Sequence, residues 1–262
     1  VACIEVPINE AKVFGVMSTD AKRRIVRFDE KPSQPTPMPG RPDMALASMG
    51  VYVFDADYLY AALKADAQST SSSRDFGKDL IPAIVARGEA VAHPFGQSCI
   101  KSTPMAPAYW RDVGTIDAYH EASLNLISVS PSLNLYNDDW PIRGNPAPVG
   151  PSKFVFSDFS GGRVGMAIDT VIGGGVIISG GRVERAVVFP HVRINSYSRI
   201  TDSVLFPDVD VGRGARLHRC IVDKGVKIPP GERIGDDLER DRKRFTISDG
   251  GVVVVARDDF GQ

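Results

Sequence analysis

Three short segments gather polar side chains at places where a folded sheet would present them to a ligand. Phe28-Asp-Glu-Lys-Pro32 closes a strand-like run with Glu30 and Lys31 and then a proline that fixes the exit of the chain. Leu46-Ala-Ser48-Met-Gly50 sets a hydroxyl inside an apolar run, and Trp110-Arg-Asp112-Val-Gly-Thr115 sets a carboxylate between a strand end and a helix start. Taken together, an ammonium for a phosphate, a carboxylate and hydroxyl for sugar hydroxyls and an aspartate for a divalent cation would make a phosphosugar site. Each group also has an ordinary reading. Glu30 and Lys31 can be a solvated pair contributing little, Asp112 can pair with Arg111 or cap a helix, and Ser48 can be a satisfied core hydroxyl.

The elements that must carry these groups alternate between strand and helix. Val1–Val6, Phe14–Met17 and Arg24–Phe28 are short, rich in β-branched or aromatic residues and flanked by polar turns, as strands are. A loop from Lys31 to Pro42 holds five prolines and cannot be helix or central strand. Leu46–Phe54 reads as a buried strand, after which Asp55 caps a helix with Leu59, Ala62 and Leu63 on one face. A second helix starts near Asp79, tolerating Pro82 in its first turn, and Val91–Phe95 returns as a strand. Thr115 caps a third helix to about Ile127, with Asp117 favourable in its first turn. This alternation predicts an α/β layer with a substantially parallel sheet, in which ligands sit beyond the carboxyl ends of the strands.

From Ser128 to Phe154 the chain turns rich in Pro, Asn, Gly and Ser, a linker, and beyond it lies an internal repeat. At a spacing of 17, Ile177, Ile194, Val211 and Ile228 align; so do Val183, Ile200, Leu217 and Ile234, then Val187, Val204 and Ile221, then Val188, Leu205 and Val222. Ala186, Ser203 and Cys220 form a small-residue column, and Pro190 with Pro207 and Val192 with Val209 and Val226 recur at the turns. Glycine and proline run throughout, no window has a helical period, and 17 is close to three hexapeptides. The pattern is a β-helix with aliphatic columns inside, expected to be left-handed as hexapeptide solenoids usually are. Residues 236–244 form a charged loop or helix and Gly251–Ala256 a last strand. The expected domains are 1–127, a sugar-phosphate-binding α/β part; 128–154, a linker; and 155–262, a β-helix for regulation and oligomerisation.

Bulk properties narrow the partners. Of 262 residues, 31 are Lys or Arg and 32 Asp or Glu, so no excess of positive charge exists to grip nucleic acid or an anionic membrane. No apolar run approaches the roughly 18 residues of a membrane span and no leader resembles a secretory signal, which points to a soluble, cytoplasmic protein. Cys3, Cys99 and Cys220 are odd in number and far apart, as buried free thiols are and as disulfide frameworks are not. Val1 opens the sequence without an initiator Met and already in strand-like alternation, so the expectation is a piece of a longer chain.

With these segments assembled, the sequence resembles a known family. Phe14-Gly-Val-Met17, Phe28-Asp-Glu-Lys-Pro32, Leu46-Ala-Ser-Met-Gly-Val-Tyr-Val-Phe54, Asp75-Phe-Gly-Lys-Asp-Leu-Ile-Pro82 and Tyr109-Trp-Arg-Asp-Val-Gly-Thr115, followed by the hexapeptide β-helix, resemble the bacterial glucose-1-phosphate adenylyltransferases in matching order along the whole chain. The resemblance implies the carboxyl-terminal part of a Rossmann-like nucleotidyltransferase domain followed by a left-handed β-helix. It implies Mg²⁺-dependent transfer of an adenylyl group from ATP to glucose 1-phosphate, giving ADP-glucose and pyrophosphate in the first committed step of glycogen synthesis. Carried over by position, Lys31 would hold the sugar phosphate, Glu30 and Ser48 would bind glucose hydroxyls, the Gly15 backbone would lie against the sugar, and Asp112 would be one of two acidic metal ligands. Lys224 and Arg257 match basic residues of an effector site for anionic metabolites in an allosteric homotetramer. The family's Gly-rich nucleotide loop and second metal carboxylate have no counterpart in these residues, so the 262 residues alone are expected to be inactive. Three other readings compete with this one. They are a sugar-1-phosphate nucleotidyltransferase of other specificity, a non-catalytic regulatory subunit, and a hexapeptide acyltransferase, for which His191 and His218 would have to stack and, 27 residues apart on a 17-residue period, do not.

Overall fold

A computed structural model describes residues 1–101, 108–144 and 148–261 of the chain, so residues 145–147 of the expected linker lie outside it. The chain forms two compact units, Val1–Ala108 and Tyr109–Gln262.

The first unit is built on a five-stranded sheet: β1 (Ala2–Pro7), β2 (Gly15–Thr19), β3 (Ile25–Glu30), β4 (Met44–Ser48) and β5 (His93–Pro94), in the order β3-β2-β4-β1-β5. Here the structure corrects the expectation of a mostly parallel sheet. The β2–β3, β2–β4 and β1–β4 pairs are antiparallel, and only β1–β5 is parallel. The short turn between β2 and β3 can join only antiparallel neighbours, whereas β2–β4 and β1–β4 pair across longer stretches of chain. The fourth strand also ends earlier than the run Leu46–Phe54 suggested. Gly50 takes a left-handed φ of 68°, which ends the extended segment two residues beyond Ser48. As expected, the Asp55 carboxylate accepts from the Tyr58 amide at 3.0 Å and starts helix α1 (Ala56–Gln68). The second expected helix is a single wide turn, Phe76–Leu80, running into α2 (Ile81–Ala86) with Pro82 in its first turn. Leu80, Ile81 and Ile84 pack with Met17, Ile25, Phe28 and Cys3 as the core on the helical side of the sheet.

In the second unit, parallel strands stack coil upon coil, each fully buried aliphatic side chain contributing about 1.5–3 kcal/mol. Val183, Ile200, Leu217 and Ile234 pair in that order and are at most 1% exposed, forming one inward column. Val188, Leu205 and Val222 form another and continue to Val255, across an insertion that holds the short helix Leu238–Asp241. One alignment is corrected. Ile178, rather than Ile177, stacks on Ile194, Val211 and Ile228, because the first coil is one residue shorter and a one-residue shift turns a side chain from inside to outside. Asp169, Arg185, Asp202 and Arg219 all hold left-handed φ values, between 45° and 50°, where the long strands turn a corner. Their charges alternate up the stack, and the Arg185 guanidinium donates to both Asp202 oxygens at 2.7 and 2.6 Å.

Helix α3 (Ile116–Asn125) belongs to this unit. Thr115 caps it as expected, its hydroxyl accepting from the Ala118 amide. Its Ile116 and Tyr119, with Ile127 just beyond, pack on Val187, Val204, Ile221 and Val252 on the outside of the coils, and Tyr119 stacks on Phe206. Asp117, which the sequence assigned only to the helix dipole, accepts from the Ser248 hydroxyl at 2.6 Å and the Gly250 amide at 3.1 Å. Buried His120 donates from Nε2 to the Asp202 carbonyl at 2.7 Å. Cys3 and Cys220 are buried free thiols, pushed up by burial to about 11 and about 12; Cys99 is free and partly buried. Among the described residues, no helix is long and apolar enough to cross a membrane.

Candidate functional site

Strand register brings three of the sequence-derived site residues to one level of the first unit. Gly15, the first residue of β2, pairs with Glu30, the last of β3, and on the other side Val16 pairs with Ala47, which sets Gly15 beside Ser48 at the next step. Glu30, Gly15 and Ser48 therefore form a row across three neighbouring strands. Lys31 follows directly. Its backbone is fixed by an amide hydrogen bond to the Phe14 carbonyl at 3.0 Å and a left-handed φ of 48°, while its side chain is exposed. An exposed ammonium on a pinned backbone can meet an anion without first losing buried partners.

The row has a particular chemistry. Glu30 is half-buried, and among the described residues its carboxylate takes part in no hydrogen bond or ion pair, leaving its acceptors available for hydroxyl donors. Ser48 is buried, its hydroxyl accepting from the Gly50 amide at 3.3 Å, as a satisfied core hydroxyl does. Ser48 also hydrogen-bonds the Tyr52 phenol, whose pKa burial pushes up and the Ser48 hydroxyl partly brings back. Tyr52 stacks on Phe76, ring centroids 5.7 Å apart, and Phe54 meets Phe76 edge-on. The Asp75 carboxylate accepts from the amides of Gly77 and Lys78 at 2.8 and 2.9 Å, locking the turn that carries Phe76. Phe28, Glu30, Pro32, Gly77 and Lys78 line a recess of the surface.

Sequence reasoning assigned no role to Tyr52, Asp75, Phe76 or Gly77. A signal for them exists: an Asp two residues before a Gly at a helix start is a cap, and an aromatic four residues after a buried Ser beside a second aromatic suggests a wall. What no sequence pattern supplies is that the two segments meet.

The remaining candidates lie in the second unit. Asp112 is exposed, and its Oδ1 accepts from the Gly114 amide at 3.2 Å. Oδ2 has no protein donor among the described residues, and no group of three His, Cys, Asp or Glu side chains gathers anywhere among them. One carboxylate oxygen open to solvent suits Mg²⁺, which binds through one or two carboxylates and fills its shell with water and substrate phosphate. Lys224 and Arg257, 33 residues apart, are brought together: the Arg257 Nε donates to the Lys224 carbonyl at 2.6 Å and its guanidinium lies over Gly225. Both residues are exposed. His218 hydrogen-bonds the Thr201 hydroxyl at 2.9 Å within the coil stack, and His191 lies on a different coil, beside Gly175.

Comparison with known proteins finds two families along the chain. The nucleotidyl transferase family matches residues 1–129, and the family of GlmU-like C-terminal hexapeptides matches residues 150–255. A glucose-1-phosphate adenylyltransferase of Albidiferax ferrireducens is 56% identical over 255 residues, 97% of this chain and 60% of the relative. One of Paramagnetospirillum magneticum is 50% identical over 258 residues, 98% of this chain and again 60% of the relative. The chain thus spans about three-fifths of the length of these relatives.

Proposed function

We propose that the chain, similar over nearly its whole length to two glucose-1-phosphate adenylyltransferases, belongs to their family and supplies the sugar-phosphate side of an enzyme transferring an adenylyl group from ATP to glucose 1-phosphate. The products are ADP-glucose and pyrophosphate, and the setting is the cytoplasm, at the entry to glycogen synthesis. The observation that carries this reading is the row of Glu30, Gly15 and Ser48 across three adjacent strands, with the pinned Lys31 at its end.

In this reading the Lys31 ammonium pairs with the phosphate of glucose 1-phosphate, while Glu30 accepts from sugar hydroxyls and Ser48 exchanges hydrogen bonds with them. Gly15, lacking a side chain, lets the sugar approach the backbone. Held in this way, a phosphate oxygen of the sugar attacks the α-phosphorus of ATP in line. The new P–O bond forms as the bond to the bridging oxygen breaks, and the electron pair leaves with pyrophosphate. Such a step is governed by positioning and charge neutralisation, and it needs no general base because the sugar phosphate is already ionised at neutral pH. Asp112 is the chain's ligand for Mg²⁺, which when bound offsets charge on the transferring and departing phosphates. Lys224 and Arg257 are the docking point for an anionic metabolite effector, and the complete protein assembles as a homotetramer.

The test assays the complete protein for pyrophosphate release with each nucleoside triphosphate and sugar 1-phosphate in turn, with and without anionic sugar phosphates or pyruvate. ATP with glucose 1-phosphate is expected to be the best pair and to respond to an anionic effector; the 262 residues alone are expected to give no turnover. A different preferred sugar, or turnover by the 262 residues alone, would contradict the reading.

A further inference from the structure

We propose that Gly77 is a positioning residue for the sugar site, acting through Glu30; the inference rests on the assignment of Glu30 to sugar binding. A Cβ at position 77 would stand 2.5 Å from Glu30 Oε2 and 2.8 Å from its Cδ, and one at Gly15 would stand 2.9 Å from the same Oε2. Carbon and oxygen at such distances overlap. The Glu30 carboxylate is therefore seated between two glycines that come from segments far apart in sequence.

Three further observations turn this fit into a role. The turn that carries Gly77 is locally fixed, its amide and that of Lys78 both donating to the Asp75 carboxylate. Gly77 itself is buried, so the seat is part of the packed unit. The carboxylate held in the seat takes part in no hydrogen bond or ion pair among the described residues, so the fit serves no internal contact. A half-buried carboxylate held in place and left without a partner is preorganised to accept from an external donor. The row that it shares with Ser48 makes sugar hydroxyls the donors that fit.

The two glycines differ in what a methyl group would displace. At Gly77 all three nearest atoms belong to the end of the Glu30 side chain, which can rotate away. At Gly15 the nearest atom, at 2.5 Å, is Cζ of the buried Phe28 ring, which cannot. Gly77→Ala should thus leave the fold intact and move only the Glu30 carboxylate, whereas Gly15→Ala should disturb the core.

In the complete protein, Gly77→Ala is expected to raise KM for glucose 1-phosphate about tenfold or more, as loss of a hydrogen bond to a charged group does. KM for ATP and the melting temperature should stay near those of the parent. In a Glu30→Ala background, already raised in KM, adding Gly77→Ala should change nothing, because no carboxylate remains to displace. An unchanged KM in Gly77→Ala beside a raised one in Glu30→Ala would overturn the role of Gly77 alone. So would an equal further rise in the Glu30→Ala background, or failure of Gly77→Ala to fold, since each places the clash somewhere other than Glu30. A sugar-phosphate KM insensitive to Glu30→Ala would instead remove the sugar-site assignment, and this inference with it.

Discussion

The solenoid and the sheet of the first unit reach their functional side chains by opposite routes. In the solenoid, each coil repeats the one below, so a residue's neighbours lie one coil, about 17 positions, away: Val183 on Ile200, Ile200 on Leu217, Leu217 on Ile234. In the sheet, the row of Glu30, Gly15 and Ser48 gathers residues 15 and 18 positions apart with no periodic relation, and the seat of Glu30 adds Gly77, 47 positions on. Repetition makes a core that is redundant in chemistry and exacting in volume. The row makes a site in which each group is single, so exchanging the Glu30 side chain should alter binding far more than stability.

The largest effect separates these two behaviours. Leu217 is 1% exposed in the middle of its column, and Leu217→Ala should cost about 2–5 kcal/mol of stability through lost burial and the cavity left behind. Denaturant unfolding of the complete protein should show this loss, while KM for glucose 1-phosphate per folded enzyme stays at the parent value. A variant with parent stability, or one whose main defect is in sugar-phosphate KM, would break the distinction.

The same contrast explains what could be read from the sequence. The aliphatic columns are legible because packing dictates them coil by coil, and the one misplacement, Ile177 for Ile178, falls on the first coil, where the repeat is one residue short. The caps at Asp55 and Thr115 are legible because their partners lie three residues away. The antiparallel pairing of β1–β4 is not, because strand periodicity shows which residues share a face and says nothing of direction. Nor are Glu30 against Gly77, Arg257 against Lys224, or Asp117 against Ser248 and Gly250, because each joins segments that only the complete fold brings together. The identities of Lys31, Glu30, Ser48 and Asp112 as candidates came from residue type and order, and Tyr52 and Phe76 entered only with the geometry.

The smallest effect lies at His120, one of the polar contacts of α3 with the repeating stack. Burial holds His120 below the ordinary histidine range. As pH falls through about 6.5, the unfolded chain takes up a proton that the folded chain resists, so the stability gained from burying neutral His120 is fully present above that value and declines below it. Asp202 and Asp117 are held below the usual carboxylate range, the first by Arg185 and the second by Ser248, so their contributions fade only at more acid pH. Melting temperatures at pH 7 and pH 5 should therefore differ more for the parent than for His120→Gln. An equal fall in both would show that the α3 contact is insensitive to His120.

The central claim is that the end of the three-strand row is the sugar-phosphate site and that Lys31 supplies its charge. Its most direct test is the pair of Michaelis constants of the complete protein carrying Lys31→Ala. Removal of a charge-assisted contact to phosphate predicts a rise in KM for glucose 1-phosphate of about a hundredfold, with KM for ATP near the parent value and an unchanged melting temperature. A KM for glucose 1-phosphate equal to the parent's, or a rise shared equally by ATP, would contradict it.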